Sequence, residues 1–109
     1  MEDARDGGIY EMIKYFAERD KVLYVHFRNV SGTVTQFNEE FINTGYVDMK
    51  RAIETYHAAG FTGVFMDDHC PEIVGDTVFS GNWGGYRSRI FAQGYIQAML
   101  ESVTGERPK

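Results

Sequence analysis

The run Val22-Leu23-Tyr24-Val25-His26-Phe27 constrains this chain more than any other stretch. It is nearly unbroken in β-branched and aromatic side chains, the residue types that fit a pleated surface. Without polar alternation it suits a strand covered on both faces, and such strands belong to parallel sheets whose crossover connections lay helices over them. A second apolar run, Phe61–Asp67, has the same character, and Pro71 four residues beyond it forces that strand to end near Asp67 or Asp68.

Amphipathic segments alternate with these strands. Ile9, Met12, Ile13 and Phe16 recur at helical spacing while Glu11, Lys14, Glu18 and Arg19 take the other face, so a helix is expected over 9–20. Asp48 reads as an N-cap before Met49, Ala52, Ile53 and Tyr56, and Gly60 stands where that helix must stop. The reading is helix 9–20, strand 22–27, helix 48–59, strand 62–67 and helix 87–103, in one domain over 1–109. Residues 28–45 are long for a connection between strand and helix. Thr33–Phe37 is expected to pair with residues near Phe41-Ile42 as a small excursion. Gly75, Gly81, Gly84 and Gly85 surround Trp83 in an adaptable surface loop, and Met1–Gly8 is assigned no structure.

Strand, helix, strand, helix in succession predicts crossover units on a parallel sheet. The fold class is therefore α/β, about two βα units of a (β/α)8 TIM barrel. A whole barrel needs about 200 residues or more, and this chain has 109, so the barrel is incomplete. Such a piece exposes strand edges and an uncovered apolar flank. The expectation is a homo-oligomer, or pairing with the remainder of a barrel.

Composition narrows the function. A formal net charge of −5 and the lack of a basic run exclude phosphate tracking, so no nucleic-acid partner is expected. The single cysteine, Cys70, has no internal disulfide partner. No stretch is apolar for long enough to cross a bilayer, which leaves no membrane partner and a cytoplasmic address as the simplest expectation.

Both strand ends carry chemistry-bearing residues, and barrel active sites lie at the carboxyl ends of the strands. His26 closes the first run and is followed by Arg28-Asn29; Asp67-Asp68-His69 closes the second. A histidine inside an apolar run is often a hydrogen-bonded core residue, and Asp-Asp-His-Cys-Pro is also an ordinary turn composition. Alternation sends Asp67 and His69 to one side and Asp68 to the other. Carboxylate with imidazole suits a hard divalent ion such as manganese or magnesium. Cys70 reads as an inert thiol and His57 as a solvated helix residue. Tyr86 and Arg87 open the last helix, where they meet an anion or simply pack.

Tyr24-Val25-His26-Phe27-Arg28-Asn29-Val30, Val47-Asp48-Met49, Asp68-His69-Cys70-Pro71 and Arg89-Ile90-Phe91-Ala92-Gln93-Gly94-Tyr95-Ile96 together resemble the C-terminal part of mannonate dehydratase. The resemblance implies a metal-dependent barrel similar to xylose isomerase that dehydrates D-mannonate to 2-keto-3-deoxy-D-gluconate. It implies His26 and Asp68 as metal ligands, His69 as the catalytic acid/base, and Arg28, with Asn29 and Tyr86, facing the sugar-acid substrate. The implied cofactor of the full-length family is Mn2+ or another divalent metal, Fe2+ or Mg2+, held weakly or not at all by this chain alone. Tyr86 falls slightly out of register with the tyrosine that the family places before its last helix. The family's remaining ligands, a cysteine and a histidine on earlier strands, have no counterpart, and Cys70 is not that cysteine. Two other readings stand beside the enzyme piece: a catalytically silent oligomeric barrel fragment, and a small carbohydrate-binding module using Trp83, Tyr86 and the glycine loop.

Overall fold

The computed structural model describes residues 8–76 and 84–107; the expectation of no structure over Met1–Gly8 lies outside them but for Gly8, which opens a helix, and the loop residues Gly81 and Trp83 lie outside them too. The elements in chain order are α1 (Gly8–Ala17), β1 (Tyr24–His26), β2 (Asn29–Gly32), β3 (Phe37–Glu40), α2 (Met49–Ala58), β4 (Val64–Met66) and α3 (Tyr86–Thr104). β1 and β4 pair in parallel, with Tyr24 opposite Val64, Val25 opposite Phe65 and His26 opposite Met66. The Phe27 amide extends the ladder by donating to the Met66 carbonyl at 2.7 Å. The architecture is the expected α/β one, with parallel strands, crossover helices and a sheet that stays open.

The strands are shorter than expected and are not covered on both faces. Val25 and Phe27 are buried, whereas Tyr24 before them and His26 between them are exposed. A two-stranded sheet has one helical layer to cover it, so only the odd-numbered side chains of β1 find a core. Phe27 and Phe65 meet edge to face at 5.1 Å, Tyr56 of α2 packs on Phe65 at 5.3 Å, and Ile53 is 1% exposed beneath them. The overall extents of 41 × 38 × 20 Å are those of a thin slab.

Both α1 and α2 end in the same hydrogen-bonded turn. After α2, the Gly60 amide donates to the His57 carbonyl and the Phe61 amide to the Tyr56 carbonyl, each at 3.0 Å, with Gly60 at φ +81°. After α1, Asp20 donates to Ala17 and Lys21 to Phe16, and Asp20 takes the left-handed position at φ +52°. This is the Schellman closure, which favours glycine at that place because it lacks the Cβ that strains a left-handed residue. The N-terminus of α2 has the expected cap: Asp48 Oδ1 accepts from the Arg51 amide at 3.0 Å. The Asp48 amide in turn donates to the Tyr10 hydroxyl of α1, also at 3.0 Å, and the Arg51 guanidinium lies 4.0 Å from the Tyr10 ring centre.

The excursion after β1 is an antiparallel hairpin, with Asn29 opposite Glu40 and Gly32 opposite Phe37. The expected pairing lay about four residues further along, because Thr33 and Gln36, read as strand, instead close the turn through reciprocal backbone hydrogen bonds of 2.7 and 3.2 Å. No helix among the described residues is long and apolar enough to cross a membrane.

Replacing Asp20 by glycine relieves the one left-handed non-glycine residue among the described residues without touching a packed side chain. Asp20→Gly is expected to raise unfolding stability by up to about 1 kcal/mol, read as a higher urea midpoint at unchanged m-value.

Candidate active-site rim

β1 and β4 run in the same direction, so their carboxyl ends lie side by side and bring two separate sequence motifs together. His26 Nδ1 lies 3.1 Å from Asp68 Oδ1, and Arg28 Nε lies 3.6 Å from Asp68 Oδ2. His69 joins the same group, with Nε2 3.7 Å from Asp68 Oδ1. Glu39 of β3 completes it: its Oε1 accepts from Arg28 Nη1 at 2.6 Å and lies 3.5 Å from His69 Nδ1. The structure therefore gathers His26, Arg28, Asp68 and His69, while Glu39 had no sequence signal beyond its place in the long connection.

Alternation placed His69 with Asp67 and away from Asp68, and here the structure differs. β4 ends at Met66, so the two-residue period of the strand does not govern residues 67–69. Asp67 turns inward and is 5% exposed. Its Oδ2 accepts from Arg89 Nη1 at 3.0 Å and its Oδ1 from Gln93 Nε2, both from α3. Arg89 also donates to the backbone carbonyls of Asp67 and Asp68, at 3.2 and 3.1 Å. Ser88, 1% exposed, donates to the Pro71 carbonyl. The first turns of α3 thus clamp residues 67–71, and the clamp turns Asp68 and His69 outward together.

Asn29 stands behind the rim rather than on it. It is 1% exposed, with Nδ2 donating to the carbonyls of Ile42 and Val47 at 3.2 and 2.8 Å. Its Oδ1 accepts from the amides of Val30 and Val47, both at 3.1 Å. This side chain ties the hairpin to the start of α2. Gly45, at φ +143°, passes so close that an added Cβ would sit 2.5 Å from Asn29 Oδ1. Tyr86 is the first residue of α3 and is 56% exposed. His57 is exposed on α2, as its place off the apolar stripe implied.

Cys70 is buried beside the clamp. Burial first, and the negative charge of Asp67 second, push its thiol from the usual 9.0 to about 11. The thiolate that reacts with electrophiles is therefore scarce at neutral pH. Among the described residues, no group of three or more His, Cys, Asp or Glu side chains is placed to hold a metal ion. The rim offers instead a carboxylate flanked by two imidazoles and a guanidinium: a pair of donors for a cation, a fixed positive charge for an anion, and a group able to carry a proton.

A family model described as D-mannonate dehydratase (UxuA) matches residues 2–108. Mannonate dehydratase 2 of Halalkalibacterium halodurans is 29% identical over 97 residues, covering 86% of this chain and 28% of that protein. Mannonate dehydratase of Lactococcus lactis subsp. cremoris is 26% identical over 100 residues, covering 87% and 27%. The crystal structure of mannonate dehydratase from Streptococcus suis serotype2 matches with a TM-score of 0.78 at 24% identity, covering 93% of this chain and 30% of that one. The chain thus spans less than a third of the length of these relatives, and its α/β fold is that of a segment of their larger one.

Two outcomes check this geometry. Asp67→Ala strips a buried ion pair and is expected to cost about 3 kcal/mol in urea unfolding, whereas His26→Ala, at a half-exposed rim position, should cost under about 1 kcal/mol. Cys70 is expected to resist alkylation at pH 8 until denaturant is added. Because its folded value lies above the unfolded one, it holds its proton longer when folded, so stability should fall as pH rises from about 9 towards about 11, and less so in Cys70→Ala.

Proposed function

The chain belongs to the D-mannonate dehydratase family, and from that premise we propose that its rim is part of a site for metal-assisted dehydration of a sugar acid, D-mannonate to 2-keto-3-deoxy-D-gluconate and water. The observation that carries this reading is the convergence of His26, Arg28, Asp68 and His69 at the carboxyl ends of two parallel strands, with His26 Nδ1 and Asp68 Oδ1 3.1 Å apart. Side chains this close would both be within reach of a divalent ion held at the rim, which would supply a Lewis acid there. Imidazole with carboxylate is also a donor set that manganese, iron and magnesium accept to differing degrees. His26 and Asp68 fit as two ligands of a divalent metal, Mn2+ foremost, with the remaining ligands supplied from outside this chain.

The bound metal would lower the energy of negative charge developing on the substrate as the proton next to the carboxylate leaves. Arg28 offers a guanidinium fork for the substrate carboxylate, which fixes the acid end and orients the carbon chain towards Asp68. His69, 3.7 Å from Asp68 Oδ1, is the group that moves a proton. It is the candidate to take the proton from the carbon next to the carboxylate or to give one to the departing hydroxyl. Tyr86, exposed at the start of α3, is kept as a candidate second contact for the substrate. Asn29 acts one step back, by holding the segment that carries Arg28.

A second reading follows from the short donor list. Two protein ligands rarely hold a divalent ion tightly, and the chain has under a third of its relatives' length. On its own, it is a catalytically silent, self-associating segment in the cytoplasm, whose open sheet edges pair with another copy or with the rest of a barrel.

The test is a manganese titration of the chain by calorimetry, beside His26→Ala and Asp68→Ala, followed by an assay for keto-acid formation from D-mannonate. Binding lost in both variants is the expected result, with affinity weaker than about 10 μM for so few ligands. Equal binding in all three proteins would remove His26 and Asp68 as ligands. Keto-acid formation that vanishes in His69→Ala would favour the enzyme reading over the silent one.

A further inference from the structure

Glu39 has no part in the reading above, yet it touches two of the four rim residues. Its Oε1 takes the shortest contact in the cluster, 2.6 Å from Arg28 Nη1, while the same guanidinium stays 3.6 Å from Asp68. His69 is shared in the same way, 3.5 Å from Glu39 through Nδ1 and 3.7 Å from Asp68 through Nε2. The second oxygen, Glu39 Oε2, is buried with no hydrogen-bond partner among the described residues. A buried carboxylate oxygen left unpaired is costly, and folds keep such groups where something other than stability depends on them.

The backbone is arranged to deliver this carboxylate. Glu39 lies opposite Val30 in the hairpin register, and the four hydrogen bonds of Asn29 lock the hairpin base against the chain entering α2. The result is a ring of alternating partners: Glu39, Arg28, Asp68, His69 and back to Glu39. Without Glu39, a planar guanidinium already 3.6 Å from a carboxylate would close on it with two parallel hydrogen bonds, the preferred geometry of that pair. Asp68 would then spend its oxygens on Arg28.

We propose that Glu39 is a positioning residue of the rim, holding Arg28 and His69 back from Asp68 so that the Asp68 carboxylate stays open to a divalent cation. This rests on the reading of Asp68 as a metal ligand, but the hold on Arg28 is measurable without metal. In the isotope-labelled chain, the Arg28 Nε–H signal is compared between wild type and E39Q, which keeps the size of the side chain and removes its charge. The signal is expected to shift as the guanidinium moves to Asp68, while the backbone spectrum away from the rim stays in place. Manganese affinity, read from paramagnetic broadening around residues 26 and 68, should fall about tenfold or more, as when the outer partner of a ligand is lost. Adding Arg28→Gln to E39Q should restore it, which a merely structural role for Glu39 would not produce.

An unmoved Arg28 signal in E39Q overturns the proposal, and so does unchanged manganese affinity where the wild type binds. A shifted Arg28 signal in a chain whose wild type binds no manganese upholds the hold and sinks the metal reading of Asp68 instead. Should E39Q lose its dispersed spectrum, E39D keeps the charge, withdraws it by one methylene and carries the same two readouts.

Discussion

The buried carboxylate of Asp67 decides how the strand ends meet. A charge that is 5% exposed must be paired, and Arg89 and Gln93 of α3 pair it from the far end of the chain segment that follows. The same guanidinium takes two backbone carbonyls, so it grips the chain as well as the side chain. With residue 67 pinned inward at the point where β4 stops, residues 68 and 69 have nowhere to go but the rim. The meeting of Asp68 with His26 depends on this anchor as much as on the parallel register of β1 and β4.

The two sides of the rim are supported in different ways. The β4 side is held by ion pairing and backbone capture from α3. The β1 side is held by Asn29, which uses donor and acceptor of its amide to close the hairpin onto the entry to α2. A buried, fully engaged amide is rigid because any rotation strands several polar groups at once. The rim groups are half-buried apart from His26, whose side chain is 55% exposed and whose contacts are individually weak. Precision at the rim therefore comes from the buried groups behind it, an arrangement that suits a site where small displacements alter chemistry.

The open face of the sheet has its own consequence. Tyr24, His26 and Val64 lie exposed on the side that no helix among the described residues covers, and Leu23 is 81% exposed at the strand entry. A strand with apolar residues on both faces anticipates a cover on both. Here the sequence pattern and the observed burial disagree for a physical reason: the chain supplies one helical layer, while the pattern of β1 is written for an interior. That mismatch agrees with a span of less than a third of its relatives' length.

Local chemistry in the sequence was enough to read the α/β alternation, the Asp48 cap, the stop at Gly60 and the clustering of polar residues at both strand ends, because period, capping and left-handed turns depend on neighbours a few residues away. It was also enough, through the motifs at 24–30, 47–49, 68–71 and 89–96, to reach the family. The parallel pairing of the two strands and the approach of His26 to Asp68 were expected; what the sequence left open was how the residues around them are held. The inward turn of Asp67, the passage of His69 to the same side as Asp68, the spent amide of Asn29 and the arrival of Glu39 beside Arg28 are all settled by partners 11 to 26 residues away. Such partners are chosen by burial and pairing of charge in three dimensions, a choice that spacing along one strand does not encode.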